Sequence, residues 1–345
     1  MIRVLVVDDS LICSELLADQ LEADGDIEVV ETAASGEEAL ERLGPTNPDV
    51  VTVDLNMPGM DGLTLIETIM SRDPRPIIVV TGLDAHERDL AVAATERGAL
   101  ALVGKAAADD EEASAVIREN VRKLANAPVA TLTPRAPSDT SASEWPAPRP
   151  QDAGHLPVLG FGSSAGGPKA LFEILAALPP DLPAALAVAH HLPPDFVSAF
   201  SRLLVSRARF SVVVAHEATK PEPGVLVLAP GGDDLILSEG MLRSVRPSPG
   251  SLATPRIDVL FESLAKAPGP HVGVVLSGLG DDGSRGLAQM RDAGKLTVAQ
   301  HRATATVWGM PRAAMPAAVE ILNTHEIDDT IIRWLDERGT KRPGR

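Results

Sequence analysis

Largely unbroken aliphatic runs, each followed by a segment of helical period, constrain this chain more than any other feature. They fall at Ile2–Val7, Ile27–Thr32, Val50–Val53, Ile77–Val80 and Leu100–Val103. A strand with one wet face alternates polar and apolar residues, whereas an unbroken run needs cover on both faces. Helical segments supply that cover at Leu11–Ala23, Gly36–Leu43, Leu63–Ser71, Glu87–Arg97 and Glu111–Ala125. Ser35 ahead of Gly36-Glu37-Glu38 outlines a capping box. Five β-α repeats predict a doubly wound parallel sheet.

The chain has 345 residues, which favours two domains. Between Pro128 and Pro150, six prolines stand among Ser, Thr and Ala. Such a stretch buries little and cannot form a helix or central strand, so it reads as a semi-extended linker. Trp145 within it is a candidate to dock on a domain. The alternation then resumes, with strands expected at Val158–Gly160, Leu186–Ala189, Val212–Ala215, Val225–Ala229, His271–Leu276 and Leu296–Ala299. Helices are expected at Pro168–Ala177, Phe196–Leu204, Ile257–Lys266, Gly286–Ala293, Pro311–Pro316 and Thr330–Arg338. The fold class is α/β, two doubly wound parallel-sheet domains. Expected boundaries are a first domain at 1–125, a linker at 126–155 and a second domain at 156–345.

Bulk properties exclude several classes. A formal net charge of −17 argues against a nucleic-acid partner, which needs a basic face. No apolar run approaches the length of a membrane span, so no membrane insertion is expected. The opening run is broken by Asp8-Asp9 and reads as a strand, not a signal peptide. The single cysteine, Cys13, excludes internal disulfides and fits a reducing cytoplasm; its place on a helix marks it as a packing residue.

Chemistry collects at strand ends. Asp8 and Asp9 close the first strand, Asp54 the third and Thr81 the fourth, and Lys105 follows the fifth. In an open parallel sheet these ends converge on the ligand crevice. Three carboxylates there repel one another, and a hard divalent cation such as Mg²⁺ relieves the repulsion. A hydroxyl and an ammonium at the same edge suit a phosphoryl group carried by Asp54 as an aspartyl phosphate. The bland alternative is a solvated acidic rim.

In the second half, Gly162-Ser163-Ser164-Ala165-Gly166 fits a G-x-S-x-G nucleophile elbow, a serine on a strained strand-to-helix turn. Its register selects Ser164. A glycine-rich turn of this kind also binds phosphate, and that alternative stays open. A serine nucleophile needs a base and an orienting group. His190-His191 follows one strand, and Asp281-Asp282 lies in a glycine-rich loop after another. Pattern alone does not choose within either pair. His155, His216, His271, His301 and His325 show no metal-ligand spacing. Asp258 reads as a helix-start residue, and Trp308 as a cleft or packing residue.

Two resemblances sharpen this. Asp8-Asp9, the run Val53-Asp54-Leu55-Asn56-Met57-Pro58-Gly59-Met60-Asp61-Gly62, Thr81 and Lys105 resemble the response-regulator receiver domain. The resemblance implies a flavodoxin-type fold with Asp54 as phosphoacceptor. It implies Mg²⁺ held by Asp9, Asp54 and the Asn56 carbonyl with Asp8 in support, and phosphoryl contacts from Thr81 and Lys105. Ala106 stands where that family has proline, and Leu102 where it has an aromatic residue.

The second half is similar to the catalytic domain of chemotaxis protein-glutamate methylesterases. The matching pieces are Gly162 to Gly167, His191-Leu192-Pro193, Ala229-Pro230-Gly231-Gly232, Ile257 to Phe261, Leu276 to Gly283 and Gly309-Met310-Pro311. This implies a Rossmann-like domain with Ser164 as nucleophile, His191 as base, Asp282 as orienting carboxylate and the Leu279 amide as oxyanion donor, with Ala165 beside the nucleophile. No esterase cofactor is implied. Asp233, His301 and Arg256 depart from the family pattern. The expected function is a phosphorylation-regulated esterase that hydrolyses glutamyl methyl esters of chemoreceptors, with a related action on receptor glutamines. The implied partners are a chemotaxis-type sensor histidine kinase and methylated chemoreceptors. The competing class is a non-enzymatic, phosphorylation-dependent adapter built on a decayed esterase fold.

Overall fold

The computed structural model describes residues 1–108, 110–125, 127, 145, 152–247 and 254–338. The chain divides into two units, Met1–Thr131 and Leu132–Arg345. Of the stretch expected to be a linker, 126–155, the structure describes residues 127, 145 and 152–155.

The first unit carries β1 (Ile2–Val7), β2 (Ile27–Ala33), β3 (Val50–Val53), β4 (Ile77–Thr81) and β5 (Ala101–Gly104) in one sheet of order β2-β1-β3-β4-β5. Every pairing in it is parallel. The strands alternate with α1 (Leu11–Glu22), α2 (Gly36–Thr46), α3 (Gly62–Arg72), α4 (Ala85–Glu96) and α5 (Glu111–Ala125). Val4–Val7, Val50, Val51, Val53 and Ile77–Val79 are all sealed from solvent, so β1, β3 and β4 are covered on both faces, whereas the edge strand β2 is mostly only partly buried. Burying each such side chain contributes about 1.5–3 kcal/mol relative to exposure. At the start of α2, Ser35 Oγ accepts the Glu38 amide, while the Glu38 carboxylate reaches past Ser35 to the Ala34 amide. The helix includes Pro45 in its last turn, which leaves the Glu41 carbonyl without an amide donor from that position, and Asn47 closes it in the left-handed region at φ 43°.

The larger sheet of the second unit has seven strands in the order β14-β13-β12-β6-β7-β9-β8, again all parallel. The strands are β6 (Val158–Ser163), β7 (Ala185–His190), β8 (Ser211–Val214), β9 (Val225–Leu228), β12 (Val272–Val275), β13 (Leu296–Gln300) and β14 (Glu320–Leu322). The helices are α6 (Gly167–Ala177), α7 (Val197–Arg207), α8 (Ile257–Lys266), α9 (Ser284–Asp292), α10 (Gly309–Ala314) and α11 (Thr324–Glu337). An antiparallel hairpin, β10 (Asp234–Ser238) and β11 (Met241–Val245), was absent from the sequence expectation. Its turn, Glu239-Gly240, has positive φ at both residues and lacks the usual Asn-Gly or Asp-Gly signature. Also unexpected were β14, at three residues, and the early start of α11, where Asn323 and Glu326 form a full capping box.

The base of the second sheet begins to pack at Asp152. Its carboxylate accepts from the buried Lys295 ammonium at 2.9 Å and from the Gly269 amide at 2.9 Å, and Lys295 also donates to the Gly269 carbonyl. His271 lies beside them, with Nδ1 accepting the Val158 amide at 3.1 Å. Burial is the main cause that holds its imidazole down, at about 4. Trp145 does dock on the second unit. Its indole donates to Glu320 at 2.7 Å, and the Arg333 guanidinium stands 5.6 Å from its ring centroid.

Candidate functional sites

Both sheets reverse direction once, and both candidate sites sit at that point. In the first sheet the reversal lies between β1 and β3, which end at Asp8-Asp9 and Asp54. In the second it lies between β6 and β12, which lead into Ser164 and Asp282. Neighbouring connections there leave toward opposite faces and open a crevice at the carboxyl edge.

At the first crevice, carboxylate oxygens of Asp8, Asp9 and Asp54 all lie within 4.8 Å of one another. Asp8 and Asp54 are buried and Asp9 is exposed. Lys105 donates to Asp8 at 2.8 Å and to Asp54 at 3.1 Å. Burial alone would lower the ammonium's pKa, but the two carboxylates outweigh it and raise it. Asp54 Oδ1 also accepts the Leu55 amide at 2.8 Å. Thr81 ends β4 fully buried, and its hydroxyl makes no hydrogen bond among the described residues, so a polar group stands ready for a ligand. The Asn56 side chain turns away and donates to Glu87 at 3.0 Å. Three hard oxygen donors beside a cation-paired aspartate fit Mg²⁺. Leu102, expected at an aromatic position, is buried in β5 opposite Val79.

At the second crevice three segments meet. His191 Nδ1 lies 3.1 Å from Ser164 Oγ, and His191 Nε2 lies 2.8 Å from Asp282 Oδ2. The other member of each pair lies elsewhere: His190 faces Ser163, at 2.9 Å, and Asp281 is exposed. The ring orientation selects a tautomer. With the proton on Nε2 donated to Asp282, the Nδ1 lone pair is free to accept from Ser164.

Asp282 is held at the amino end of α8. Its Oδ2 accepts the Ile257 amide and its Oδ1 the Asp258 amide, each at 2.9 Å. Burial opposes its ionisation, yet the His191 bond and these two amides outweigh burial and keep the carboxyl below the usual range. The helix end is itself anchored. Arg256 gives both its amide and its guanidinium to the buried Asp234 of the unexpected hairpin. Asp258 accepts the Gly286 amide at 2.7 Å and so ties α8 to α9. Burial raises the pKa of this half-buried carboxyl.

The serine turn is held by the loop after β12. The Ser164 amide donates to the Ser277 carbonyl at 2.9 Å, and the Ser277 hydroxyl donates to the Ala165 carbonyl at 2.8 Å. Buried Gln300 fixes that loop in turn by accepting the Ser277 amide at 2.8 Å. As expected of this turn, a glycine takes its tight backbone angles. The left-handed residue is Gly166 at φ 69°, where a Cβ would meet Thr306 at 2.6 Å. Among the described residues, neither the Ala165 nor the Leu279 amide donates within the protein, and both lie beside the nucleophile's loop. Gly278 allows the close approach, since a Cβ there would fall 2.8 Å from Ser164 Cβ and 2.1 Å from Met310 Sδ. Sequence reading missed Asp234, Gln300 and Ser277. Only the polar residues' placement at strand ends hinted at them.

Comparison with known proteins follows the same division. The CheB methylesterase family matches residues 159–331, and the response regulator receiver domain matches residues 4–117. Protein-glutamate methylesterase/protein-glutamine glutaminase 4 of Anaeromyxobacter dehalogenans is 38% identical over 98% of this chain and 96% of its own length. The protein-glutamate methylesterase/protein-glutamine glutaminase of Agrobacterium fabrum is 38% identical over 90% of each chain. The crystal structure of the Thermotoga maritima CheB methylesterase catalytic domain is 27% identical, with a TM-score of 0.49, over 52% of this chain and 98% of that one.

Proposed function

This chain belongs to the CheB methylesterase family, with a response regulator receiver domain ahead of the catalytic one, and from that premise we propose how its residues divide the work. It is a phosphorylation-regulated protein-glutamate methylesterase that also acts as a protein-glutamine glutaminase. Residues 1–125 form the receiver, 126–155 the linker and 156–345 the esterase. The single observation that carries the residue assignment is the unbroken path from Ser164 through His191 to Asp282.

Ser164 Oγ attacks the glutamyl ester carbonyl while His191 Nδ1 takes its proton. The imidazolium forms against Asp282, whose three hydrogen bonds keep it charged and in place. The oxyanion turns toward the Leu279 and Ala165 amides, a contribution whose loss typically costs about 10²–10³ in rate. His191 returns the proton to methanol as it leaves. Water, activated by the same imidazole, then cleaves the acyl-enzyme to free glutamate and restore Ser164. With a glutamine substrate the leaving group is ammonia.

In the receiver, Asp54 accepts the phosphoryl group from a kinase. Asp9, Asp54 and the Asn56 carbonyl, with Asp8 in support, would hold Mg²⁺, which would supply charge neutralisation to the transferring group. Lys105 exchanges its contact with the free carboxylate for the phosphoryl oxygens, and the unpartnered Thr81 hydroxyl provides a second donor. The kinase is of the chemotaxis sensor type, the substrates are methylated chemoreceptors and the setting is the cytoplasm. Among the described residues no helix is long and apolar enough to cross a membrane.

Ser164→Ala tests the assignment. It should lower methanol release from methylated receptor by on the order of 10⁶ and abolish labelling by a fluorophosphonate, while leaving phosphorylation of Asp54 intact. Methanol release at the parent rate would overturn it.

A further inference from the structure

Directly behind the reacting serine and histidine lies a second serine and histidine. Ser163 and His190 are the last residues of β6 and β7, and the sheet register sets them opposite each other. Ser163 Oγ and His190 Nδ1 are 2.9 Å apart, against 3.1 Å for Ser164 and His191 one residue further on. The inner pair is closed to substrate, with Ser163 at 0% and His190 at 6% exposure, so it is no second nucleophile. Each member is gripped from outside the sheet. The His190 ring stacks on Phe200 of α7, with centroids 4.9 Å apart and planes 25° from parallel. Ser163 lies against the first turn of α6, where a Cβ on Gly167 would meet its Cβ at 2.6 Å. The strand ladder itself ends here, with the His191 amide donating to the Ser163 carbonyl at 3.1 Å.

We propose that the buried Ser163–His190 hydrogen bond is a positioning pair that sets the distance between Ser164 and His191. Strand ends are where a parallel sheet frays, and both reacting side chains leave from such ends. One ladder bond leaves the two termini free to slide and tilt. A side-chain bond between the last paired residues, braced by Phe200 on one side and α6 on the other, removes that freedom. A displacement near 1 Å can cost about 10² in rate, so a small gain in rigidity matters. The chemistry of the inner histidine suits this task. Burial, with the neighbouring His191 as a lesser cause, pushes its pKa down to about 3. It therefore stays neutral, neither competes for the Ser164 proton nor repels the imidazolium that forms on His191, and keeps its hydrogen bond throughout the cycle. The inference rests on the Ser164–His191–Asp282 reading.

The test uses the full chain, with kcat and KM for methanol release from methylated receptor and the rate of fluorophosphonate labelling. Ser163→Ala removes one oxygen and His190→Leu removes the ring. Each should lower kcat and the labelling rate about tenfold with KM within about twofold, and the double variant should be no slower than either single one. His190→Gln, which can still hydrogen-bond Ser163, should recover most of kcat. If His190→Leu does not fold, Ser163→Ala and His190→Gln still decide the matter. Folded Ser163→Ala with the parent kcat and labelling rate overturns the proposal and leaves the triad intact. So does failure of His190→Gln to outperform His190→Leu, or additive losses in the double variant. Parent-level methanol release from Ser164→Ala removes the triad reading and the positioning pair together.

Discussion

The two crevices share a sheet architecture and handle charge in opposite ways. The receiver crevice concentrates charge, with three carboxylates gathered within 4.8 Å and Lys105 bound to two of them. The esterase crevice sets Asp282, His191 and Ser164 in a line, with His191 hydrogen-bonded to both of the others. The first arrangement suits capture of a cation and a phosphoryl group, both of which enter from solvent. The second suits relay of a single proton from the serine to the leaving group. A doubly wound sheet thus fixes where a site lies, and the residues at the strand ends decide which chemistry it does.

The contrast is broken most severely at Asp282. Asp282→Asn keeps the shape but replaces one acceptor oxygen with an NH2, set either against Ile257 N–H and His191 or against Asp258 N–H, and removes the charge that faces the imidazolium. Hydrolysis should fall by about 10⁴ while phosphorylation is unchanged, as read by methanol release and phosphate incorporation. Gly278→Ala comes next. Its Cβ must displace Met310 and press on Ser164, so kcat should fall by about 10² with little change at the receiver. Arg256→Ala loosens the amino end of α8 from Asp234 and should cost about tenfold in kcat, because it acts on Asp282 only through the Ile257 and Asp258 amides.

The esterase unit should also be the more acid-sensitive. His190 and His271 have folded-state pKa values of about 3 and about 4, below the ordinary 6.5. The unfolded chain therefore binds more protons than the folded one below pH 6.5. Stability from this source is fully present above that value and is lost as pH falls toward 4. Each of the two costs about 1.4 kcal/mol per pH unit in that window. Denaturant unfolding monitored in the second unit at pH 7 and pH 5 checks this. His271→Asn should flatten the dependence, and an unchanged slope would remove His271 as a cause.

How much of this could be read from the chain follows from what each residue interacts with. The unbroken aliphatic runs reported their double cover, because burial on both faces leaves no place for a polar residue. Ser164 was legible because the glycines around it mark a turn. The choice of His191 over His190, and of Asp282 over Asp281, was open to pattern alone. Neighbouring residues share a composition and differ only in the direction their side chains take. Asp234, which anchors the helix that holds Asp282, was hidden in a hairpin whose Glu239-Gly240 turn carries no strong signal. Gln300 looked like a strand-end residue, and its three hydrogen bonds to Ser277, Thr304 and Thr324 exist only once β13 lies beside β12. The tight angles of the serine turn fall on Gly166, as its glycines implied, because glycine bears them at least cost.

The most direct test of two sites with one output is methanol release from methylated receptor, with and without a small phosphodonor, for the parent chain and Asp54→Asn. The account predicts stimulation of the parent and none of the variant, with both retaining the unstimulated rate. Equal stimulation of the two, or no response from the parent, would contradict it.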